Sequence, residues 1–179
     1  MQPTKASTKY IYITSTGGCY KGGQTVEIMI ETLNKTHWYF EGYFAQVNVG
    51  TDNTYNVGTF ATFADDDYSK TQPCFNRNNS AVSQGKKAHF TSRKFKWTAP
   101  ANLTGDVVLR ATVVKNIETF WVDYKMPLMY NASCADGTPL GAAVIQDAGE
   151  KADTASKGAG LAAMLFVTAF TMFLAWALP

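Results

Sequence analysis

The chain has 179 residues and is close to electrically neutral, with 16 Lys and Arg against 14 Asp and Glu and a formal net charge of +2. This balance argues against a nucleic-acid-binding protein and against a strongly acidic partner, because both call for a pronounced basic surface. The part of the chain that precedes the C-terminal apolar segment is long enough to form one domain with its own core.

Short apolar runs in the first third of the sequence predict β-strands. Residues 10–15 alternate briefly, and glycines on both sides of Cys19 mark a turn. Residues 24–33 alternate with a period of two, which predicts a half-buried strand with an aliphatic inner face. Residues 37–49 are aromatic and β-branched, and Gly42 inside this run predicts a bulge or a close backbone approach.

The middle of the sequence alternates between strand patterns and polar connections. Residues 58–64 predict another strand, and residues 68–87, rich in Asn, Ser, Lys and Gln, are interpreted as a long irregular connection. Three further strands are predicted over residues 90–97, 106–115 and 119–124. About seven to nine strands without a helical period predict an all-β, antiparallel β-sandwich over residues 10–135, after an N-terminal extension of residues 1–9.

The C-terminal part of the sequence has a different composition. Residues 136–157 form a polar spacer with many small residues, and residues 158–179 are hydrophobic and uncharged. About 20 apolar residues are enough for a membrane helix. A small attachment site, a polar spacer and an apolar tail are also the pattern of a GPI signal. We favour the GPI signal over a membrane helix, with Asp147 as the attachment site and Asp153 as the alternative.

Glycosylation sequons indicate a secreted protein. Four Asn-x-Ser/Thr sites lie between apolar runs, where surface loops are expected, with acceptors Asn34, Asn78, Asn102 and Asn131. With the GPI-type segment they predict a glycoprotein at the cell surface, on the extracellular side of the plasma membrane. Because the first nine residues are polar, we expect a signal peptide upstream of this sequence.

The three cysteines predict one disulfide and one remaining thiol. None lies in a CxxC pair, so no zinc site is expected. Cys74 falls in the long polar connection, which would gain from a tether, and Cys134 follows the last predicted strand. We expect a Cys74–Cys134 disulfide, with Cys19 as the alternative partner of Cys74.

Neither an active site nor a cofactor site is predicted. His37 and His89 are the only histidines and are expected at surface or partly packed positions. The aspartates at 65–67 lack the spacing of a calcium loop and are expected to be solvated. The sequence therefore predicts a protein that is not an enzyme and holds no metal.

Aromatic residues fall into two groups. Trp97 and Trp121 follow inward-facing patterns and are expected in the core. Trp38, Tyr39 and Tyr43 place aromatic side chains on both faces of one predicted strand, which is more than a half-buried strand needs. They form either an exposed binding surface or a face covered by another element, and both alternatives remain open.

Several motifs occur in an order that resembles the reeler domain. They are Tyr20-Lys-Gly-Gly-Gln, Phe40-Glu-Gly-Tyr-Phe-Ala-Gln, Ser80-Ala-Val-Ser, Trp97-Thr-Ala-Pro and Thr119-Phe-Trp-Val. The resemblance covers about residues 10–127 and implies an immunoglobulin-like β-sandwich. It is the domain of reelin, spondins, insect defence proteins and ferric-chelate-reductase-like proteins. It also implies a cysteine ahead of the first strand that bonds to a cysteine near Cys74, and this sequence has none there.

We predict from these observations a non-enzymatic, membrane-anchored extracellular module that binds a protein, a matrix glycan or a microbial surface ligand, and no nucleic acid. Two alternatives remain. One is an extracellular module that works with a membrane redox system similar to ferric-chelate reductases. The other is a structural coat or assembly protein whose aromatic strand faces make repeated contacts.

Overall fold

Ten strands form two packed sheets in the computed structural model, which describes residues 10–50 and 55–135. The strands are β1 (Ile11–Ser15), β2 (Cys19–Tyr20), β3 (Thr25–Thr32), β4 (Gly42–Val49), β5 (Thr59–Ala61), β6 (Ser69–Cys74), β7 (Arg77–Gln84), β8 (Ser92–Thr98), β9 (Val107–Val114) and β10 (Phe120–Tyr130). The first sheet has the order β1-β3-β8-β5, and the second has the order β2-β10-β9-β4-β7-β6. The predicted β-sandwich is confirmed, with ten strands in the described residues where seven to nine were expected.

Several predicted segments lie outside the described residues. They are the N-terminal extension (residues 1–9), the polar spacer (136–157) with Asp147 and Asp153, and the hydrophobic segment (158–179). Within the described residues, no helix is long and apolar enough to cross a membrane.

The core lies between the sheets and follows from strict alternation along the strands. Val26, Ile28 and Ile30 of β3 are buried, and they pair in register with β8, where Val26 faces Trp97 and Ile28 faces Phe95. Alternate residues of β9 from Val107 to Val113 form the opposing wall. Burying one face of each sheet fixes the register, because a shift of one residue would turn the apolar side chains to solvent.

Trp97 lies fully buried near the centre of this core. Its indole Nε1 donates a hydrogen bond to the Val57 carbonyl oxygen at 2.9 Å. The chain then passes so close to the indole at Gly58 that a Cβ there would overlap Trp97 Nε1 and lie 2.5 Å from the Thr98 carbonyl oxygen. Gly58 also has φ of +76°, which favours glycine. Residues 57–58 therefore wrap around the indole and satisfy its buried donor.

Between β1 and β2 the chain crosses from the four-stranded sheet to the six-stranded sheet, and this crossing determines which cysteines form the disulfide. After β1, the chain turns at Gly17 and pairs β2 in parallel with the end of β10, so that Cys19 faces Met129. Cys19 and Cys134 form the disulfide, with their Cα atoms 5.8 Å apart. The predicted Cys74–Cys134 pair is wrong, because Cys74 ends β6, at the other edge of the six-stranded sheet. Cys74 is a free, partly exposed thiol.

The polar stretch predicted to be irregular is a hairpin of β6 and β7. Its turn residues, Phe75 and Asn76, both have positive φ, as a two-residue type I′ turn requires. The strands carry little apolar signal because the buried residues of β7 are Ser80, Ala81, Val82 and Ser83. Lys70 and Pro73 belong to the edge strand β6, where they discourage pairing with another chain.

Strand β10 is longer than the sequence pattern suggests, because two irregularities hide its second half. A bulge follows Trp121, and Asp123 inside it has φ of +59°. Pro127 pairs with Val108 of β9, while β2 reaches only Met129 and Tyr130 on the other side. A proline is tolerated there because no second neighbour needs its missing N–H.

Replacing Gly58 with alanine tests the packing around Trp97. We expect G58A to lower the free energy of unfolding by about 3–5 kcal/mol, because the added Cβ meets the indole and the backbone is left-handed. Gly50 is the matched control, since its φ is +67° but nothing lies within 4 Å of its Cβ position. G50A should cost only about 1–2 kcal/mol. Equal losses in urea titrations followed by tryptophan fluorescence would contradict this account.

Candidate functional site

Four connections come together at one end of the sandwich, which we call the loop end. They are residues 33–41 (β3–β4), 62–68 (β5–β6), 85–91 (β7–β8) and 115–119 (β9–β10). The register places them together, because Gly42 faces Val114 and Ser69 faces Gln84. The β6–β7 turn and the exit of the domain at Ala135 lie at the opposite end.

Hydrogen bonds in the β3–β4 connection hold Trp38 and Tyr39 at the loop end. The Asn34 carbonyl oxygen accepts from the Trp38 N–H at 2.9 Å, and the Asn34 side chain accepts from the Thr36 N–H at 3.1 Å. Phe40 then forms a two-way backbone bridge with Phe90 and is fully buried. Two partly exposed rings therefore project from a short turn that is fixed at both ends.

Each of these two rings stacks on an aromatic side chain from another part of the chain. Trp38 stacks on Tyr10 with ring centroids 3.8 Å apart, and Tyr39 stacks on the His89 imidazole at 3.9 Å. The Lys115 ammonium lies over both rings, 4.4 Å from the Trp38 centroid and 5.8 Å from the Tyr39 centroid. Because Tyr10 covers one face of Trp38, the ammonium occupies the other face.

Charged groups border this ring cluster. The Glu41 carboxylate lies 3.1 Å from His89 Nε2 and 3.3 Å from Lys87 Nζ. Such surface pairs contribute little stability, but they orient His89 against Tyr39. Leu33 and Ile117 are the most exposed large aliphatic side chains at this end, at 66% and 73% exposure. The loop end thus combines ordered rings, one bound ammonium and exposed aliphatic side chains.

Tyr43 does not belong to the predicted binding surface and is a core residue. It is 2% exposed, stacks on Phe95 with centroids 5.9 Å apart, and meets the edge of Phe40. The reason is its position in β4, where the inward-facing residues begin at Tyr43, whereas Trp38 and Tyr39 precede the strand. Burial raises the pKa of the Tyr43 phenol, against a smaller opposing effect of its hydrogen bond to Ser69.

A buried polar network joins the two sheets beneath the loop end. The Tyr43 hydroxyl donates to Ser69 Oγ at 2.6 Å, and Ser69 Oγ donates to the Asp66 carboxylate. Arg93 of β8 points inward, pairs with the same carboxylate and donates to Ser69 Oγ at 3.3 Å. The Asp66 carboxylate also accepts the backbone N–H groups of Tyr68 and Ser69.

This network corrects the expectation that all three aspartates are solvated. Asp66 has a side chain only 8% exposed and is occupied by Arg93, whereas Asp65 and Asp67 are exposed. In the described part of the chain, no three His, Cys, Asp or Glu side chains converge on a position suited to a metal ion. His37 and His89 are both exposed, as predicted.

The sequon acceptors are exposed and unevenly distributed. Asn34 lies at the loop end, whereas Asn78, Asn102 and Asn131 lie at the opposite end, and all four are exposed. Asn78 is not in a loop as expected, because it belongs to β7. The positions are accessible to glycans, and their occupancy stays a prediction.

Sequence reasoning found Trp38 and Tyr39 but missed their three partners. His89 and Lys115 come from two different connections and Tyr10 precedes β1, and the register of the sheets brings them together. The only available signal was their residue types. That signal is weak, because aromatic and basic side chains are common next to strand ends.

The chain is similar to known proteins over most of its length. The Reeler domain family model matches residues 1–136. "Putative defense protein 1" of Antheraea mylitta is 34% identical over 114 residues, which cover 62% of this chain and 64% of that protein. "Putative ferric-chelate reductase 1" of Danio rerio is 31% identical over 130 residues, 70% of this chain and 22% of that protein. The chain thus spans less than two thirds of the length of both relatives.

The fold has a counterpart among solved structures. The human F-spondin reeler domain superimposes with a TM-score of 0.58 at 19% sequence identity, covering 73% of this chain and 94% of that one. This likeness establishes the reeler type of β-sandwich for the described domain.

Replacing Asp66 tests the network beneath the loop end. We expect D66N to lower the free energy of unfolding by about 3 kcal/mol, because it leaves the largely buried Arg93 guanidinium without its counter-charge. D65N is the matched control and should change it by less than about 0.5 kcal/mol, since Asp65 is exposed. Urea unfolding of both variants gives the comparison, and a neutral D66N would disprove the structural role of this carboxylate.

Proposed function

The chain belongs to the Reeler domain family, and on this premise we propose that it is an extracellular, membrane-anchored module that binds surfaces through its loop end. The observation that carries the proposal is the ring cluster of Trp38, Tyr39 and Lys115, an ordered and partly exposed group. Aromatic side chains that present an apolar face and a polar edge are favoured at recognition sites.

The position at which the chain leaves the sandwich also supports the loop end as the binding surface. The chain exits at Ala135, opposite the loop end, and the apolar residues 158–179 follow later in the sequence. An anchor in that segment would attach the domain at the end opposite the loop end. Three of the four sequons lie at the exit end, so their glycans would leave most of the loop end uncovered.

We propose that the target is a microbial surface. Relatives carrying the name "Putative defense protein" support this choice, among them the protein of Bombyx mori, which is 30% identical over 118 residues. The proposal is one of binding without catalysis, since the titratable groups around the cluster, Glu41, His89 and Lys87, pair with one another at the surface.

The relative from Danio rerio favours a second candidate, a module that works beside a membrane redox system. This chain matches 22% of that protein, so the redox chemistry of such a system would lie outside the matched region. A haem absorption band that co-purifies with the protein from its native membrane would favour this candidate over surface binding.

Adhesion assays test the proposed binding end. Cells that display the protein should retain fluorescent bacteria, and the W38A/Y39A double variant should retain about tenfold fewer, equivalent to a loss of roughly 1.4 kcal/mol. The control is K94A, because Lys94 is exposed on the outer face of β8 and does not belong to the ring cluster. Equal retention by W38A/Y39A and the unmodified protein, at equal surface amounts, would exclude the loop end as the contact surface.

The anchor and the glycans are tested on protein from a secreting cell. Phosphatidylinositol-specific phospholipase C should release the protein from the surface, with a C-terminal peptide ending at Asp147, or at Asp153 for the alternative site. Glycosidase treatment should convert occupied acceptors among Asn34, Asn78, Asn102 and Asn131 to Asp. Protein that remains bound with residues 158–179 intact would show a membrane helix instead of a lipid anchor.

A further inference from the structure

We propose that the pair of rings Trp38 and Tyr39 is a binding slot for the trimethylammonium group of phosphocholine, and that Lys115 occupies this slot when the ligand is absent. The inference rests on the proposed function, because it names the chemical group that the loop end recognises. The observations are the two ring-to-ammonium distances, 4.4 Å and 5.8 Å.

The arrangement around Lys115 has the chemistry of an ammonium site. An ammonium group is attracted to the negative face of an aromatic ring when it lies within about 6 Å of the centroid, and Trp is the best such ring. Trp38 and Tyr39 face one cation together, and each is backed by a second ring, Tyr10 or His89. The backing rings fix the slot before a ligand arrives, which lowers the entropic cost of binding.

The same geometry argues against a sugar as the stacked group. A pyranose needs an open ring face, but Trp38 has Tyr10 on one face and the Lys115 ammonium on the other. The Tyr39 ring likewise has His89 at 3.9 Å. The one group that can be exchanged without moving a ring is the ammonium, because the lysine stem is flexible.

Repulsion between cations favours phosphocholine over choline alone as the ligand. Choline that enters the slot would leave the displaced Lys115 ammonium next to another cation, which is unfavourable. Phosphocholine brings its own phosphate, which can pair with the displaced Lys115 ammonium at the rim of the slot. The exchange then keeps one cation over the two rings and adds one ion pair beside them.

Calorimetric titration of the full-length protein, held in a maltoside detergent that contains no choline, tests the proposal. We expect phosphocholine to bind about tenfold more tightly than choline chloride, and inorganic phosphate to give no measurable binding. Lys115→Met removes both the competitor and the phosphate partner. K115M should therefore bind choline more tightly than the unmodified protein does, and it should lose the preference for phosphocholine.

Two further variants complete the test. W38F keeps a ring but weakens the cation interaction, so it should bind phosphocholine several-fold more weakly while the thermal unfolding midpoint stays within a few degrees. K94M is the matched control for K115M, since Lys94 lies on the outer face of β8, and it should bind both ligands as the unmodified protein does. Absence of binding at millimolar phosphocholine, or an unchanged ligand preference in K115M, overturns the proposal.

Two supports distinguish whether the phosphocholine group that binds belongs to a surface polymer or to a lipid. Beads carrying phosphocholine imitate a surface polymer that bears this group, and phosphatidylcholine vesicles present it as a lipid head group. The W38A variant is measured on the same vesicles, so that retention caused by insertion of the C-terminal segment can be subtracted. Retention on either support that depends on Trp38 agrees with the slot and identifies its source. If phosphocholine fails to bind while W38A/Y39A still loses bacterial retention, the inference is wrong and the proposed function stands.

Discussion

The buried indole of Trp97 constrains the packing between the two sheets and the path of the chain before β5. Its ring fills the space between the sheets, and its N–H must find an acceptor there, because an unpaired buried donor costs about 1–3 kcal/mol. The acceptor is the Val57 carbonyl oxygen, so residues 57–58 must approach the ring closely. That approach brings in β5, which pairs with the same segment of β8 through Phe60 and Trp97. Tyr20 also packs against the indole in a T-shaped contact, with ring centroids 5.4 Å apart.

The loop end depends on a second set of contacts between the sheets. Arg93 reaches from β8 to Asp66 and Ser69, and Tyr43 reaches the same serine from β4. This network lies directly under the connections that hold Trp38, Tyr39 and His89. Binding side chains on loops need a rigid base, and here hydrogen bonds supply it where the apolar core ends. A rigid base also explains how side chains from three connections and from Tyr10, ahead of β1, can stack without a common strand.

The fold could be predicted from the sequence wherever one face of a strand is buried in large apolar residues. Strands β3, β8 and β9 show this alternation, and all three are confirmed within two residues of their predicted bounds. The β6–β7 hairpin was missed because Ser80, Ala81 and Ser83 fill its buried positions and give no apolar signal. The disulfide was wrong because the order of strands in a sheet is a non-local property, and only that order brings Cys19 beside Cys134. For the same reason Tyr10, His89 and Lys115 could not be assigned to the site.

The Cys19–Cys134 disulfide has a mechanical consequence for the way this domain would carry tension. When the chain is pulled from its two ends, tension entering after Cys134 crosses the sulfur bridge to Cys19 and continues into β1. The 115-residue separation that the bridge closes is bypassed, so most strands and all of the loop end carry no force. Only β1 lies in the path of the force, and it can detach from β3 without disturbing the rings at Trp38 and Tyr39 other than through Tyr10. Tension between the two ends of the chain would therefore leave the strands between Cys19 and Cys134 paired for as long as the sulfur bridge holds.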